Sequence, residues 1–273
     1  MNLHELTEEM KKIGYEPDDE EARVCQDIVL KALSLSPLSR NATIKGGVVM
    51  RSITNEVRRA TQDMDIDFIR FSLADESIDL FIEKLNTIDG ITITRVGDIT
   101  ELNQQDYNGK RVFIHIRDNF NNTIESKIDL GVHKHLDIEQ EEYCFDIAFD
   151  DEGASLLINS REQMFSEKLR SLLKFGPFST RYKDIYDMYY QCGKLKEDNL
   201  LNCFHVLIFD DSGMRENNMN DIVRRIEKVF GDKAYKSKVD RSDKRWLDDD
   251  IDEVFDGILT YLMYLQLREK KRS

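Results

Sequence analysis

The sequence predicts an α+β protein: a mixed sheet with flanking helices, followed by a C-terminal helical lobe. Two changes of hydrophobic period carry that expectation, from helical to alternating spacing after residue 35 and back to helical spacing from about residue 160. A third observation places chemistry in the alternating part. Asp63, Asp65 and Asp67 stand at every second position, interleaved with Met64, Ile66 and Phe68. On a strand this puts three carboxylates on one face and three apolar side chains on the other.

The elements follow in order. Leu3, Leu6, Met10 and Ile13, then Val24, Cys25, Ile28, Val29, Ala32 and Leu33, recur at helical spacing, and Pro37 stops that run. Residues 42 to 45 read as a short extended segment. Gly46 and Gly47 then turn the chain into a helix carrying Val48, Val49 and Ile53, and the acidic strand follows. Ile78, Phe81, Ile82 and Leu85 mark a helix. Ile91 to Val96, Arg111 to Ile116, Ile124 to Val132 and Cys144 to Phe149 read as strands. Asp150-Asp151-Glu152-Gly153 reads as a turn, and the division is placed there: residues 1–155 as the α/β domain with its N-terminal helices, 156–273 as the helical domain that completes the cleft. Within the latter, Met164 to Leu173, Ile185 to Tyr189, Met219 to Phe230 and Ile251 to Leu262 carry the helical period. No internal repeat or low-complexity segment interrupts it.

Composition narrows the class. With 273 residues, 40% hydrophobic and 9% aromatic, the chain is long and apolar enough for a folded core. A net charge of −14 argues against broad, nonspecific attraction to nucleic-acid backbones, which depends on basic side chains releasing counterions. Local basic groups remain: Lys45, Arg51, Arg58 and Arg59 around the acidic strand, and the tail from Arg268 to Arg272, which on its own reads as a solvated helix end. No apolar run reaches the roughly 18 residues of a membrane span, and the N-terminus has neither a basic start nor an apolar signal core. A cytoplasmic location without membrane association is expected. Cys25, Cys144, Cys192 and Cys203 are scattered, which predicts reduced, mostly buried thiols and no zinc signature.

The acidic strand face suits a hard cation. Unit charges 4 Å apart repel by about 1 to 4 kcal/mol between the water and near-surface limits, and Mg²⁺ favours oxygen ligands. By spacing alone either Asp63 with Asp65, or Asp65 with Asp67, could form the metal pair. On a second strand Glu125, Lys127 and Asp129 share one face, and Asp129 is the natural third carboxylate; standing alone it could equally be an edge acid paired with Lys127. Gly46-Gly47 before a helix would let backbone N–H groups approach phosphate oxygens at the positive end of the helix dipole, although many Gly pairs simply make turns. Glu167 with Lys168, and Lys183 with Asp187, could be ordinary exposed helix pairs. His133-Lys134-His135 reads as a surface strand end, and Trp246 as an aromatic anchoring a helix. Walker-type, nucleophile-elbow and dinucleotide motifs are missing from the sequence.

Taken in order, Lys45-Gly46-Gly47, Arg59-x-Thr61-x-Asp63-x-Asp65, Lys127-Ile128-Asp129, Glu167-Lys168-Leu169 and Arg181-x-Lys183-Asp184-x-Tyr186-Asp187 resemble the AbiEii/AbiGii toxin family over roughly residues 40 to 190. These are nucleotidyltransferases of the polymerase-beta type of fold, usually the toxin of type IV toxin–antitoxin or abortive phage-infection systems. The resemblance implies Asp63, Asp65 and Asp129 as ligands of Mg²⁺ and as catalytic residues. It selects Asp63 with Asp65 because Arg59 and Thr61 then fall where the family has basic and hydroxyl residues, and leaves Asp67 either behind the ligands or off the site. It also implies Lys168 and Asp184 as catalytic groups, with Lys168 on triphosphate oxygens, and Lys45, Gly46, Gly47, Arg59, Thr61, Arg181 and Lys183 as nucleotide-binding. The implied reaction is NMP transfer from an NTP to an acceptor hydroxyl. The implied partners are RNA, such as the 3′ end of a tRNA, and a cognate antitoxin. A small-molecule nucleotidyltransferase of the antibiotic-modifying kind and an inactive nucleotide-binding regulator of the same fold are the alternatives. Fifteen residues separate Gly47 from Asp63, more than the family leads one to expect, which suggests a longer or kinked helix.

Overall fold

The computed structural model of the chain describes residues 1–104, 107–135 and 137–270. Contacts divide it into two compact units, Met1–Asn159 and Ser160–Ser273. The division expected from the sequence is at 155/156, with the change of period at about residue 160.

The first unit is a seven-stranded mixed sheet with four α-helices among the described residues. Its strands are β1 (Ala42–Lys45), β2 (Met64–Phe68), β3 (Ile91–Gln104), β4 (Tyr107–Asp118), β5 (Thr123–Val132), β6 (Glu141–Ile147) and β7 (Asp150–Ile158), in spatial order β3-β4-β5-β2-β1-β7-β6. The short strands β1 and β2 are central, antiparallel to each other, and each has a parallel neighbour, β7 and β5 respectively. The β3–β4, β4–β5 and β6–β7 pairs are antiparallel.

Alternation decides which way β2 faces. Met64, Ile66 and Phe68 are buried, and the Phe68 ring meets the edge of Phe81 on α4 (Asp75–Lys84) at 5.0 Å between centroids. Among the helices, α1 (Leu3–Ile13) starts at Asn2, whose side chain accepts the His4 and Glu5 N–H groups, and ends at the left-handed Gly14. Helix α2 (Asp19–Leu35) is buried all round from Val24 to Leu33, with Gln26, Asp27 and Lys31 included, because it is covered on several sides, by α1 and by β5, β6 and β7. Helix α3 (Gly46–Thr54) is only nine residues long, and a 3₁₀ turn (Val57–Arg59) follows it. The long Gly47-to-Asp63 interval is therefore taken up by an added turn rather than by a longer helix.

Two readings of this unit need correction. Asp150 to Gly153 opens β7 instead of making a turn; the turn lies just before, at Ala148-Phe149. Gly153 (φ +68°) sits where the β6–β7 register shifts between Phe145 and Ile147, and a Cβ there would stand 2.6 Å from the Phe145 carbonyl oxygen. A bulge glycine after three acids imitates a turn in sequence. His133 is likewise not a surface residue: it is buried, and Gln140 lies 2.7 Å from its Nε2.

The second unit is helical: α5 (Arg161–Phe175), α6 (Tyr182–Gln191), α7 (Glu197–Phe204), α8 (Met219–Phe230), α9 (Lys233–Asp240) and α10 (Ile251–Lys270), with a π-helical segment at His205–Phe209. Ser160 caps α5 by accepting the Gln163 N–H at 3.1 Å. The core contains Phe165 edge-on to Tyr261 and Phe230 stacked on Phe255 at 4.0 Å. Helices α7 and α9 are too short, at eight residues each, to show a clear period in sequence. Of the basic tail, Arg268 pairs with Glu197, while Lys271 and Arg272 lie outside the described residues. No described helix is long and apolar enough to cross a membrane. All four cysteines are free thiols; Cys25 and Cys203 are buried, Cys144 exposed.

Candidate active site

Strand register builds the centre of the site. Lys45 on β1 is opposite Asp65 on β2, Asp65 is opposite Asp129 on β5, and Asp129 is opposite Arg111 on β4. Partners in register share a face, so four neighbouring strands carry one transverse row: Arg111, Asp129, Asp65, Lys45. Asp63 and Asp67 flank Asp65 along β2 on the same face.

Each acid except Asp65 has a basic partner. Arg111 grips Asp129 with a two-point fork, Nε to Oδ1 and Nη2 to Oδ2, both at 2.7 Å. Lys127 Nζ lies 2.7 Å from Asp63 Oδ1, and Lys45 Nζ lies 2.8 Å from the buried Asp67. Asp65 makes no hydrogen bond or ion pair among the described residues. Burial pushes its carboxyl up to about 6, opposed by Lys45 and reinforced by Asp129, Asp63 and Asp67.

Helix α3 meets this row at its start. Lys45 occupies the N-cap position without a side-chain cap, so the first N–H groups of the helix receive no bond from it. Gly46 has φ +67°, and a Cβ on it would lie 2.5 Å from Asp65 Oδ2; a Cβ on Gly47 would lie 2.5 Å from Thr61 Oγ1. The glycine pair is thus required by two side chains of this same site. Thr61 is fixed from behind, its carbonyl accepting Gln26 Nε2 at 2.6 Å. Arg59 is buried in the 3₁₀ turn. Arg51 turns away from the acid face: it is buried, with Asp27 at 3.9 Å.

Among the described residues no three of the His, Cys, Asp and Glu side chains are gathered into a metal-binding group. The donors nonetheless fit a hard divalent ion in kind. Asp63, Asp65 and Asp129 offer only carboxylate oxygens, adjacent in register, and Asp65 makes no ion pair among the described residues.

The sequence-derived residues of the helical unit gather around one buried cation. Lys168 on α5, with its side chain 10% exposed, places Nζ 2.6 Å from Asp184 and 2.9 Å from Asp187, both on α6. Asp187 is fully buried and its other oxygen accepts the Trp246 indole N–H at 3.1 Å. Lys168 and Asp187 are therefore not exposed helix pairs, and Trp246 anchors through Asp187. Arg181, exposed, lies 4.0 Å from Asp184, and Lys183 is partly exposed on the first turn of α6.

Sequence reasoning passed over Arg111, read Asp187 only as a helix partner of Lys183, paired Lys127 with Asp129 rather than Asp63, and weighed Asp67 as a metal ligand rather than as the partner of Lys45. Asp187 stands in a quoted motif, so a signal existed for it. Arg111 is visible only once the β4–β5 register is known.

A row of carboxylates is suited to a divalent ion, and a glycine-opened helix start to phosphate oxygens, which together is the chemistry of nucleotide handling. Residues 28–258 match the family described as "Nucleotidyl transferase AbiEii toxin, Type IV TA system", and the chain belongs to that family. It is accordingly a nucleotidyltransferase. No curated protein matches the chain in sequence. Among solved structures, the one titled "Solution Structure of Antibiotic-Resistance Factor ANT(2'')-Ia Reveals Substrate-Regulated Conformation Dynamics" aligns at 16% identity and a TM-score of 0.42, covering 69% of this chain and 91% of that one. At that TM-score nothing about this chain is drawn from it.

Proposed function

We propose that this chain transfers an NMP group from an NTP to an acceptor hydroxyl with Mg²⁺, that the acceptor is RNA such as a tRNA 3′ end, and that it acts in the cytoplasm as a toxin opposed by a cognate antitoxin. The observation that carries the reading is Asp65, an acid without an ion pair among the described residues, set against the first turn of α3 and opposite Asp129. Asp63, Asp65 and Asp129 would hold the ion. When bound, Mg²⁺ neutralises phosphate charge and makes the acceptor hydroxyl a better nucleophile.

The chain's own groups do the positioning. Gly46 and Gly47 present backbone N–H groups to triphosphate oxygens without a side chain in the way. Lys45 adds charge from a position fixed by Asp67. Thr61, packed on Gly47, and Arg59 set the chain path into the acid strand. In the helical unit, Lys168 holds Asp184 in place, and Arg181 and Lys183 offset phosphate charge. The acceptor hydroxyl gives its proton to a carboxylate of the site or to water, its oxygen forms a bond to the α-phosphorus, and the bond to the leaving pyrophosphate breaks. Preorganised charge and orientation carry the acceleration.

Incubating the protein with Mg²⁺, each labelled NTP and total cellular RNA tests the reading. Label in a discrete RNA band that is lost with Asp65→Asn supports it. Label confined to small molecules removes the RNA acceptor, and absence of labelling with any NTP and metal removes the activity. For the toxin role, induced expression arrests growth with the wild type and not with Asp65→Asn.

A further inference from the structure

Resting on the nucleotidyl-transfer reading, we propose that Arg111 and Lys127 are built-in counter-ions of the acid face: they release Asp129 and Asp63 to the incoming divalent ion and then bind the nucleotide's phosphates.

Charge on the face supports this. Around Asp65, four acids, Asp63, Asp65, Asp67 and Asp129, face three cations, Lys127, Lys45 and Arg111, which leaves one negative charge; Glu125, farther along the same face of β5, is taken up by His115. Adding a dication while all three cations stay in place turns that into one positive charge, crowded onto a few carboxylates. Like charges so close repel unless something leaves or an anion arrives. The triphosphate is that anion, and the two displaced side chains are its natural ligands.

Geometry supports it as well. The Arg111 fork occupies a lone pair on each oxygen of Asp129 at 2.7 Å, so a metal beside Asp65 competes with Arg111 for the same carboxylate and gains both oxygens in full only when an arm loosens. Lys127 lies as close to Asp63. Neither cation is locked in place: the side chains of Arg111 and Lys127 are 31% and 33% exposed, against 15% for Lys45 on the buried Asp67. The two movable cations are those on the acids expected to ligate. The fixed one is on the acid that is not. A guanidinium fork shaped for a carboxylate fits two phosphate oxygens equally well, so the exchange costs Arg111 no geometry.

The consequence is opposite responses to one substitution. We would titrate the full chain with Mn²⁺ alone, following free Mn²⁺ by electron paramagnetic resonance, and then titrate α,β-methylene analogues of the four NTPs at saturating Mn²⁺. Arg111→Gln should bind Mn²⁺ at least fivefold more tightly than wild type and the preferred analogue at least fivefold more weakly. Lys127→Gln should shift both in the same directions by less. If both variants bind Mn²⁺ no more tightly than wild type, the cations are permanent clamps and the inference is overturned. Should Arg111→Gln not fold, as judged by circular dichroism, Lys127→Gln on its more exposed strand position decides. A wild type that binds neither Mn²⁺ nor any analogue overturns the functional reading itself; one that binds both, with unsplit variants, overturns only this exchange.

Discussion

The Cα of Gly46 lies so close to the Asp65 carboxylate that a methyl group on it would stand 2.5 Å from Oδ2. Gly46 also holds φ +67°, a region that costs other residues about 1 to 2 kcal/mol. Gly46→Ala should therefore lower stability by about that amount and, separately, push Asp65 out of the row it shares with Asp129. Its transfer activity should fall at least a hundredfold while the protein still melts cooperatively. Activity within threefold of wild type would mean that the close approach has no part in the reaction.

Asp65 is itself held at a cost, and pH should reveal it. Its carboxyl is raised to about 6 from an ordinary 3.8, so between those values the folded state keeps a proton that the unfolded chain gives up. Stability must then fall as pH rises through this window, with the full cost present above about pH 6 and absent below about 4. A shift of this size corresponds to about 3 kcal/mol at most, and partial exposure trims it toward 1. Asp65→Asn should be more stable than wild type at pH 7.5 in metal-free urea unfolding, indistinguishable near pH 4, and inactive. The slope left in the variant belongs chiefly to Asp27, buried beside Arg23 and also raised to about 6. A variant less stable than wild type at pH 7.5 would contradict the assignment.

The family resemblance sets Asp67 apart from the metal pair, yet it is the buried partner of Lys45. Removing one member of a buried pair costs about 3 to 5 kcal/mol because the other charge stays behind. Asp67→Ala should approach the lower figure, whereas Asp67→Asn keeps an oxygen for Lys45 and should lose about half as much. In Asp67→Asn the affinity for Mn²⁺ should stay within threefold of wild type; a larger loss would make Asp67 a ligand after all.

Period and punctuation made most of the first unit legible. The alternation of β2, the glycine turn into α3 and the acid face of β5 are local properties, and local properties show in sequence. What stayed hidden is non-local. Arg111 joins the row only through the β4–β5 register, and β7 lies behind a bulge whose Asp150-Asp151-Glu152-Gly153 has the chemistry of a turn. Lys168 with Asp187 reads as two separate exposed residues, because only the packing of α5 on α6 and a Trp246 59 positions downstream bring the charges under cover.

That buried cluster gives the last prediction. Lys168 is shared between Asp184 and Asp187; Asp187 is tied further to the buried Trp246 indole, Asp184, among the described residues, only to the exposed Arg181 at 4.0 Å. The two acids should therefore respond differently. Asp187→Ala strips the indole of its acceptor and leaves Lys168 half-compensated in a nearly closed site, so unfolding in urea should show a loss of about 3 to 5 kcal/mol. Asp184 is more exposed, at 17% of its side chain, and water can replace part of what it gives Lys168. Asp184→Ala should cost about 1 to 2 kcal/mol yet reduce NMP transfer more than Asp187→Ala does, compared at a temperature where both variants remain folded. If the stability losses come out equal, or Asp187→Ala is the more damaging to transfer among folded molecules, then Lys168 serves the fold through both acids alike and Asp184 has no separate part in the chemistry.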